Sequence, residues 1–88
     1  MTYEFAYITE SGDPAYLKQV EALVTQFGGT VTNKDEWGEK SFAYRIGKAS
    51  RGFYHIWTLT GDINMKDLKN RLNIEDGLIR YLFLKREV

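Results

Sequence analysis

The sequence predicts an α+β domain, a four-stranded antiparallel sheet with two helices packed on one of its faces. Three observations predict it. Aromatic and branched residues alternate with polar ones in several separate stretches, which is the period of a half-buried strand. Two other stretches repeat apolar residues at helical spacing, each behind a residue suited to capping free amides. The resulting order is strand, helix, strand, strand, helix, strand, and short right-handed crossovers turn that order into the ferredoxin-like βαββαβ arrangement.

Tyr3 to Thr9 sets Tyr3, Phe5 and Tyr7 against Glu4, Ala6 and Ile8, and reads as the first strand. The stretch "SGDP" ends it. Asp13 is placed to cap a helix whose first residue is Pro14, and Leu17, Val20, Leu23, Val24 and Phe27 continue at helical spacing until Gly28 and Gly29 stop it. Thr30 to about Asn33 is rich in strand formers; a break is expected at Trp37-Gly38, after which Phe42, Tyr44 and Ile46 alternate again. Gly47 and Gly52 are expected to bracket a turn before the strand Phe53 to Thr60, so the middle of the chain predicts a long, bulged hairpin. Asn64, with Asp67 three positions on, caps a shorter helix marked by Met65, Leu68 and Leu72, and Ile79 to Lys85 is the last strand. No repeat, low-complexity run or linker interrupts the chain, which predicts a single domain over residues 1–88.

The 88 residues are 43% hydrophobic and 15% aromatic, enough for a core without staples. The chain has no cysteine, which excludes disulfides, thiolate metal sites and cysteine nucleophiles and fits a reducing compartment. The opening "MTYEFAYITE" has neither a basic start nor a long apolar segment, so the expectation is a soluble, cytoplasmic protein with no membrane span. Formal net charge is zero, which argues against a strong free-standing nucleic-acid binder. The charges are unevenly spread, however. Before Gly28 stand Glu4, Glu10, Asp13 and Glu21 against the single base Lys18, whereas Lys40, Arg45, Lys48 and Arg51 occur with no acid among them.

Catalysis finds little support. The one histidine, His55, lies inside a strand with no nucleophile at a telling spacing, and reads as a packed or hydrogen-bonded residue. Asp35 and Glu36 are adjacent, hence on opposite sides of an extended strand, and make poor partners for acid-base or metal work. Acylphosphatase shares the architecture, but the loop "ESGDP" lacks an arginine to cradle a phosphoryl oxygen. No cofactor, metal or small-molecule substrate is expected.

The stretch "SRGFYHIW", Ser50 to Trp57, resembles the RNA-reading strand of an RRM domain, a resemblance that would put Phe53 and His55 against bases. The match is imperfect, with Tyr54 and Thr58 at positions where that motif wants a small residue and an aromatic one.

A longer resemblance competes with it. "WGEKSFAYRIGKASRGFY" is similar to the central signature of the bacterial small-subunit ribosomal protein six family at Trp37, Gly38, Lys40, Phe42-Ala43-Tyr44, Ile46, Lys48, Gly52 and Phe53. "YEFAY" and "LNIEDGLIRYLFLK" resemble that family's opening and closing elements, so the likeness spans nearly the whole chain. Arg45 departs from it, standing where many members carry proline, and the sequence stops at Val88 without the polar tail many members have. The resemblance implies a non-catalytic constituent of the ribosome, cytoplasmic in a bacterium or inside an organelle. It also implies binding to the central domain of the small-subunit ribosomal RNA together with small-subunit ribosomal protein eighteen. On this reading Lys40, Arg45, Lys48 and Arg51 are the candidate phosphate contacts, with Arg80 and Lys85 as weaker ones. Against it stands a solvated hairpin whose charges keep a strand edge from aggregating.

The same reading reverses the faces implied by the RRM motif. If Phe5, Tyr7, Trp57, Leu59, Tyr81 and Phe83 face the helices, then Ala6, Ile8, Tyr54, Ile56, Leu82 and Leu84 form a second apolar surface on the open side. A sheet face that apolar is expected to be covered. Together with the hairpin residues Phe42, Tyr44 and Ile46 it is the candidate surface for the partner protein. A small-ligand regulatory domain that dimerises through its sheet would use the same face without needing the basic hairpin.

Overall fold

The computed structural model describes residues 1–46 and 49–86, and side chains throughout those ranges except at 43–46 and 49. Its elements are β1 (Thr2–Thr9), α1 (Pro14–Gln26), β2 (Thr30–Ile46), β3 (Ala49–Thr60), α2 (Met65–Leu72) and β4 (Leu78–Arg86). The strands form one sheet in the order β2-β3-β1-β4, antiparallel throughout, which is the expected ferredoxin-like βαββαβ topology. Among the described residues no helix is long and apolar enough to cross a membrane.

Both helices begin where their caps dictate. The Asp13 carboxylate accepts from the Ala15 amide at 3.0 Å, and the Asn64 side chain accepts from the Asp67 amide at 3.3 Å while its own amide donates to the Asp67 carboxylate at 2.8 Å. Gly28 and Gly29 close α1 by donating to the carbonyls of Thr25 and Val24. Val20 and Val24 of α1 and Leu68 and Leu72 of α2 pack on Phe5, Tyr7, Trp57 and Leu59 of the sheet. Phe5 stacks between Tyr7 and Phe83, at 4.4 and 4.5 Å, and meets Trp57 edge-on. Each such buried side chain contributes about 1.5–3 kcal/mol, which makes this layer the source of the fold's cohesion.

The middle of the chain differs from expectation in two respects. The break at Trp37-Gly38 is a β-bulge inside a single long strand, because Glu36 pairs with His55 and Gly38 with Tyr54, leaving Trp37 as the extra residue. Gly38 has φ of 80°, a left-handed value that a side chain resists, so the bulge can form here at little cost. Gly52 does not bracket a turn either. It lies within β3 opposite Lys40, and a Cβ there would fall 2.6 Å from the Ile8 methyl, 2.8 Å from the Phe42 ring and 3.2 Å from Ile79. It is glycine because three apolar tips close over it.

Candidate functional site

Strand alternation decides which side chains reach the open face. In β1 and β3, Ala6 pairs with Ile56 and Ile8 with Tyr54; in β1 and β4, Ala6 pairs with Leu82 and Glu4 with Leu84. Their neighbours Phe5, Tyr7, His55 and Trp57 are sealed under the helices, so the even-numbered residues of β1 and β3 point outward. Ala6, Ile8, Tyr54, Ile56 and Leu82 line a shallow hollow of about 340 Å³ whose rim carries Arg80. The floor is low at Ala6 because its side chain is a single methyl between two larger neighbours. Leu82 and Leu84 are 55% and 51% exposed, an aliphatic pair that water solvates poorly.

Two bulges bring further residues to this face. Without Trp37 as an extra residue, Lys40 would share the side of Glu36, toward the helices; with it, Lys40 lies opposite Gly52 on the open side. Phe42 follows in phase and meets Tyr54 edge-on at 6.0 Å. In β4 the register slips between Ile8 and Thr9, which pair with Arg80 and Leu78, so Ile79 is the extra residue. Arg80, on the near side of the slip, is in phase with Leu82 and Leu84 by plain alternation. Ile79, absent from the sequence-based candidates, joins Ile8 and Phe42 over Gly52; a glycine inside a strand pattern was the available signal for that close approach.

The basic candidates separate. Lys40 and Arg80 are exposed on the open face, and among the described residues neither has a carboxylate within ion-pair distance. Arg51 lies opposite Ser41 on the other side of the ribbon and approaches the Glu39 carboxylate at 3.7 Å. Lys85 pairs with Tyr3, on the helix-covered side of edge strand β4. Lys48 lies outside the described residues, as do the side chains of Tyr44, Arg45 and Ile46.

Both residues that an RRM would turn toward bases point the other way. Phe53 lies against Gly12, whose Cβ would fall 2.7 Å from the ring, and His55 is only 3% exposed. His55 Nε2 is 2.9 Å from Thr9 Oγ1, its Nδ1 meets the Glu36 carboxylate, and the other oxygen of that carboxylate accepts from Trp57 Nε1 at 3.0 Å. Hydroxyl, imidazole and carboxylate thus stand in the order of a nucleophile, its base and the group that orients the base. The hydroxyl, however, belongs to Thr9, which is fully buried and donates at 2.8 Å to the Ser11 carbonyl, so no acyl group can reach it. Burial also pushes the phenol of Tyr7 well above its ordinary value, with the Glu36 carboxylate adding to the shift, and raises Tyr16 in the same way.

The open face therefore offers an apolar platform with cations at its margin and, among the described residues, no array of hydrogen-bonding groups suited to reading base edges. It fits a protein surface at its centre and an anion at its rim. Residues 2–85 match the family model described as "Ribosomal protein S6". The chain is 34% identical over 91 residues to "Small ribosomal subunit protein bS6" of Fusobacterium nucleatum, covering 97% of each chain. It is 32% identical over 81 residues to the protein of the same name from Clostridium botulinum, covering 91% of this chain and 86% of that one. The crystal structure of 30S ribosomal protein S6 from Thermotoga maritima superposes with a TM-score of 0.82 at 22% identity, over 97% of this chain and 86% of that one, a likeness of fold.

Proposed function

This chain belongs to the ribosomal protein S6 family, and from that membership we propose that it is a structural constituent of the small ribosomal subunit. On this proposal it binds the central domain of the 16S ribosomal RNA as a heterodimer with small-subunit ribosomal protein eighteen, and resides in the cytoplasmic ribosome. The observation that carries the reading is the open face itself. Leu82 and Leu84 remain half exposed beside Ala6 and Ile56, while Phe5, Tyr7, Trp57 and Leu59 of the other face are packed under the helices, and burying the two leucines against a partner protein relieves that exposure.

The division of labour follows from charge. The chain has no net charge, so the partner supplies much of the phosphate neutralisation, and this protein adds cations at the margin of the apolar platform. Lys40 and Arg80 are the best placed, since phosphate contact would cost them no existing ion pair among the described residues. Arg51 would exchange an exposed pair with Glu39, which is worth at most about 1 kcal/mol. Lys85 would approach the RNA only from the helix side of β4, and Arg45 and Lys48 remain candidates on charge alone.

The test is a calorimetric titration with small-subunit ribosomal protein eighteen, followed by titration of each protein and of the mixture into a central-domain RNA fragment. Tight pairing, with RNA binding mainly by the pair, is the expected result. Salt-sensitive binding of single-stranded RNA by this protein alone would move the function toward an RRM-like module. Self-association promoted by a small ligand, without RNA affinity, would move it toward a regulatory domain.

A further inference from the structure

His55 carries a proton count that its surroundings fix. The Ser11 carbonyl can only accept, so the single hydroxyl proton of Thr9 is committed to it at 2.8 Å, and Thr9 Oγ1 can only accept from His55 Nε2 at 2.9 Å. On the opposite edge of the ring, Nδ1 faces the Glu36 carboxylate, whose second oxygen is already engaged by Trp57 Nε1. Both ring nitrogens face acceptors. Only the imidazolium donates from both.

We infer that His55 is held as the imidazolium in the folded protein, where it acts as a proton-held latch tying β2 to β1 across β3. The three residues concerned sit on three strands, Thr9 on β1, His55 on β3 and Glu36 on β2, and β1 and β2 are not neighbours in the sheet. Glu36 immediately precedes the extra residue of the bulge, so the latch fixes the strand at the point where the arm bearing Lys40 and Phe42 changes phase. It acts on the pose of that arm and stands whether or not the ribosomal reading does.

The charges around the ring favour the cation. From β1 the Tyr7 ring stacks on it with centroids 4.6 Å apart, and the buried Tyr7 phenol resists ionisation, so it brings no competing anion. From β2 come Glu36 and Lys34, and Lys34 is engaged by Glu21 of α1 at 2.6 Å while lying over the Trp57 ring. Tyr16 of α1 also lies near Tyr7, with its phenol held neutral by burial. Farther along the same face, Glu39 and Arg51 pair with each other. Glu36 is thus the anion free to balance the imidazolium, and its 42% exposed side chain makes it a tolerant site for substitution.

The first test is nitrogen NMR of the full chain, labelled at histidine, at about pH 7.5, where a free imidazole is neutral. Protons on both ring nitrogens are expected; an unprotonated Nε2, with Thr9 donating into it, would overturn the inference. The second compares Glu36→Gln with wild type by denaturant unfolding at that pH. The variant should lose about tenfold in folding constant; equal stability would overturn the latch even if both proteins fold.

Discussion

Ile56 tests the open face with one substitution. Its side chain is half buried beside Ala6, in the lining of the hollow and away from the packed layer of Phe5, Trp57 and Leu59. Ile56→Glu should therefore leave a cooperative melt by circular dichroism while weakening binding of small-subunit ribosomal protein eighteen at least about tenfold, roughly 1.4 kcal/mol. Unchanged affinity would remove the face from the interface. Tyr7 tests the opposite layer. Its hydroxyl and that of Tyr16 are buried with no hydrogen-bond partner among the described residues, and burial raises both phenols. A raised folded value means that the native chain keeps these protons after the unfolded chain has lost them, so stability is intact below about pH 10 and falls as pH rises beyond it. Tyr7 contributes up to about 1.4 kcal/mol per pH unit to that fall, and Tyr16 acts in the same direction. Tyr7→Phe should stay within about 1 kcal/mol of wild type at neutral pH and flatten the alkaline decline seen in denaturant titrations.

At the level of the element, β2 is the consequential strand. Its 17 residues run past the end of β1, which pairs with β3 only as far as Thr9 and Phe53, so its outer half stands as a two-stranded ribbon. The Trp37 bulge sets the phase of that ribbon. Gly38→Ala should cost about 1–2 kcal/mol by placing a side chain in left-handed backbone. Deleting Trp37 should restore simple alternation and turn Lys40 toward the helix side. NMR checks this directly: in a deletion variant that still folds, the cross-strand backbone signals that now join Lys40 to Gly52 should disappear. The sequence signalled an irregularity at Trp37-Gly38 but not its kind, because a break and a bulge use the same glycine and differ only in whether pairing resumes beyond it.

For the whole molecule, zero net charge makes the placement of cations the governing variable. Lys40 and Arg80 come from strands at opposite edges of the sheet and flank one apolar platform, while Arg51 and Lys85 face the other side. The double substitution Lys40→Ala with Arg80→Ala should reduce the salt dependence of ternary-complex formation by up to about 0.9 in log–log slope for each phosphate left without its cation. Lys85→Ala should leave that slope near the wild-type value. An unaltered slope in the double variant would return Lys40 and Arg80 to the role of edge-protecting charges.

The element order, the two helix caps and the grouping of Ala6, Ile8, Tyr54 and Ile56 on one side of the sheet were determined by the sequence alone, because alternation, helical spacing and capping are local properties read within a few residues, whereas which side lies open differed between the two resemblances. The resemblance carried by "WGEKSFAYRIGKASRGFY" likewise led to the family, since it depends on residue identity along the chain. Only the tertiary structure decided that Gly52 lies inside a strand, that a bulge at Trp37 places Lys40 on the open face while one at Ile79 brings that side chain over Gly52, and that His55 is held between Thr9 and Glu36. Those outcomes rest on cross-strand register, where one extra residue exchanges the faces of everything beyond it, and on partners separated by 46 and 19 positions. No local pattern specifies which of two strands carries the extra residue, so register had to be settled by packing the whole sheet at once.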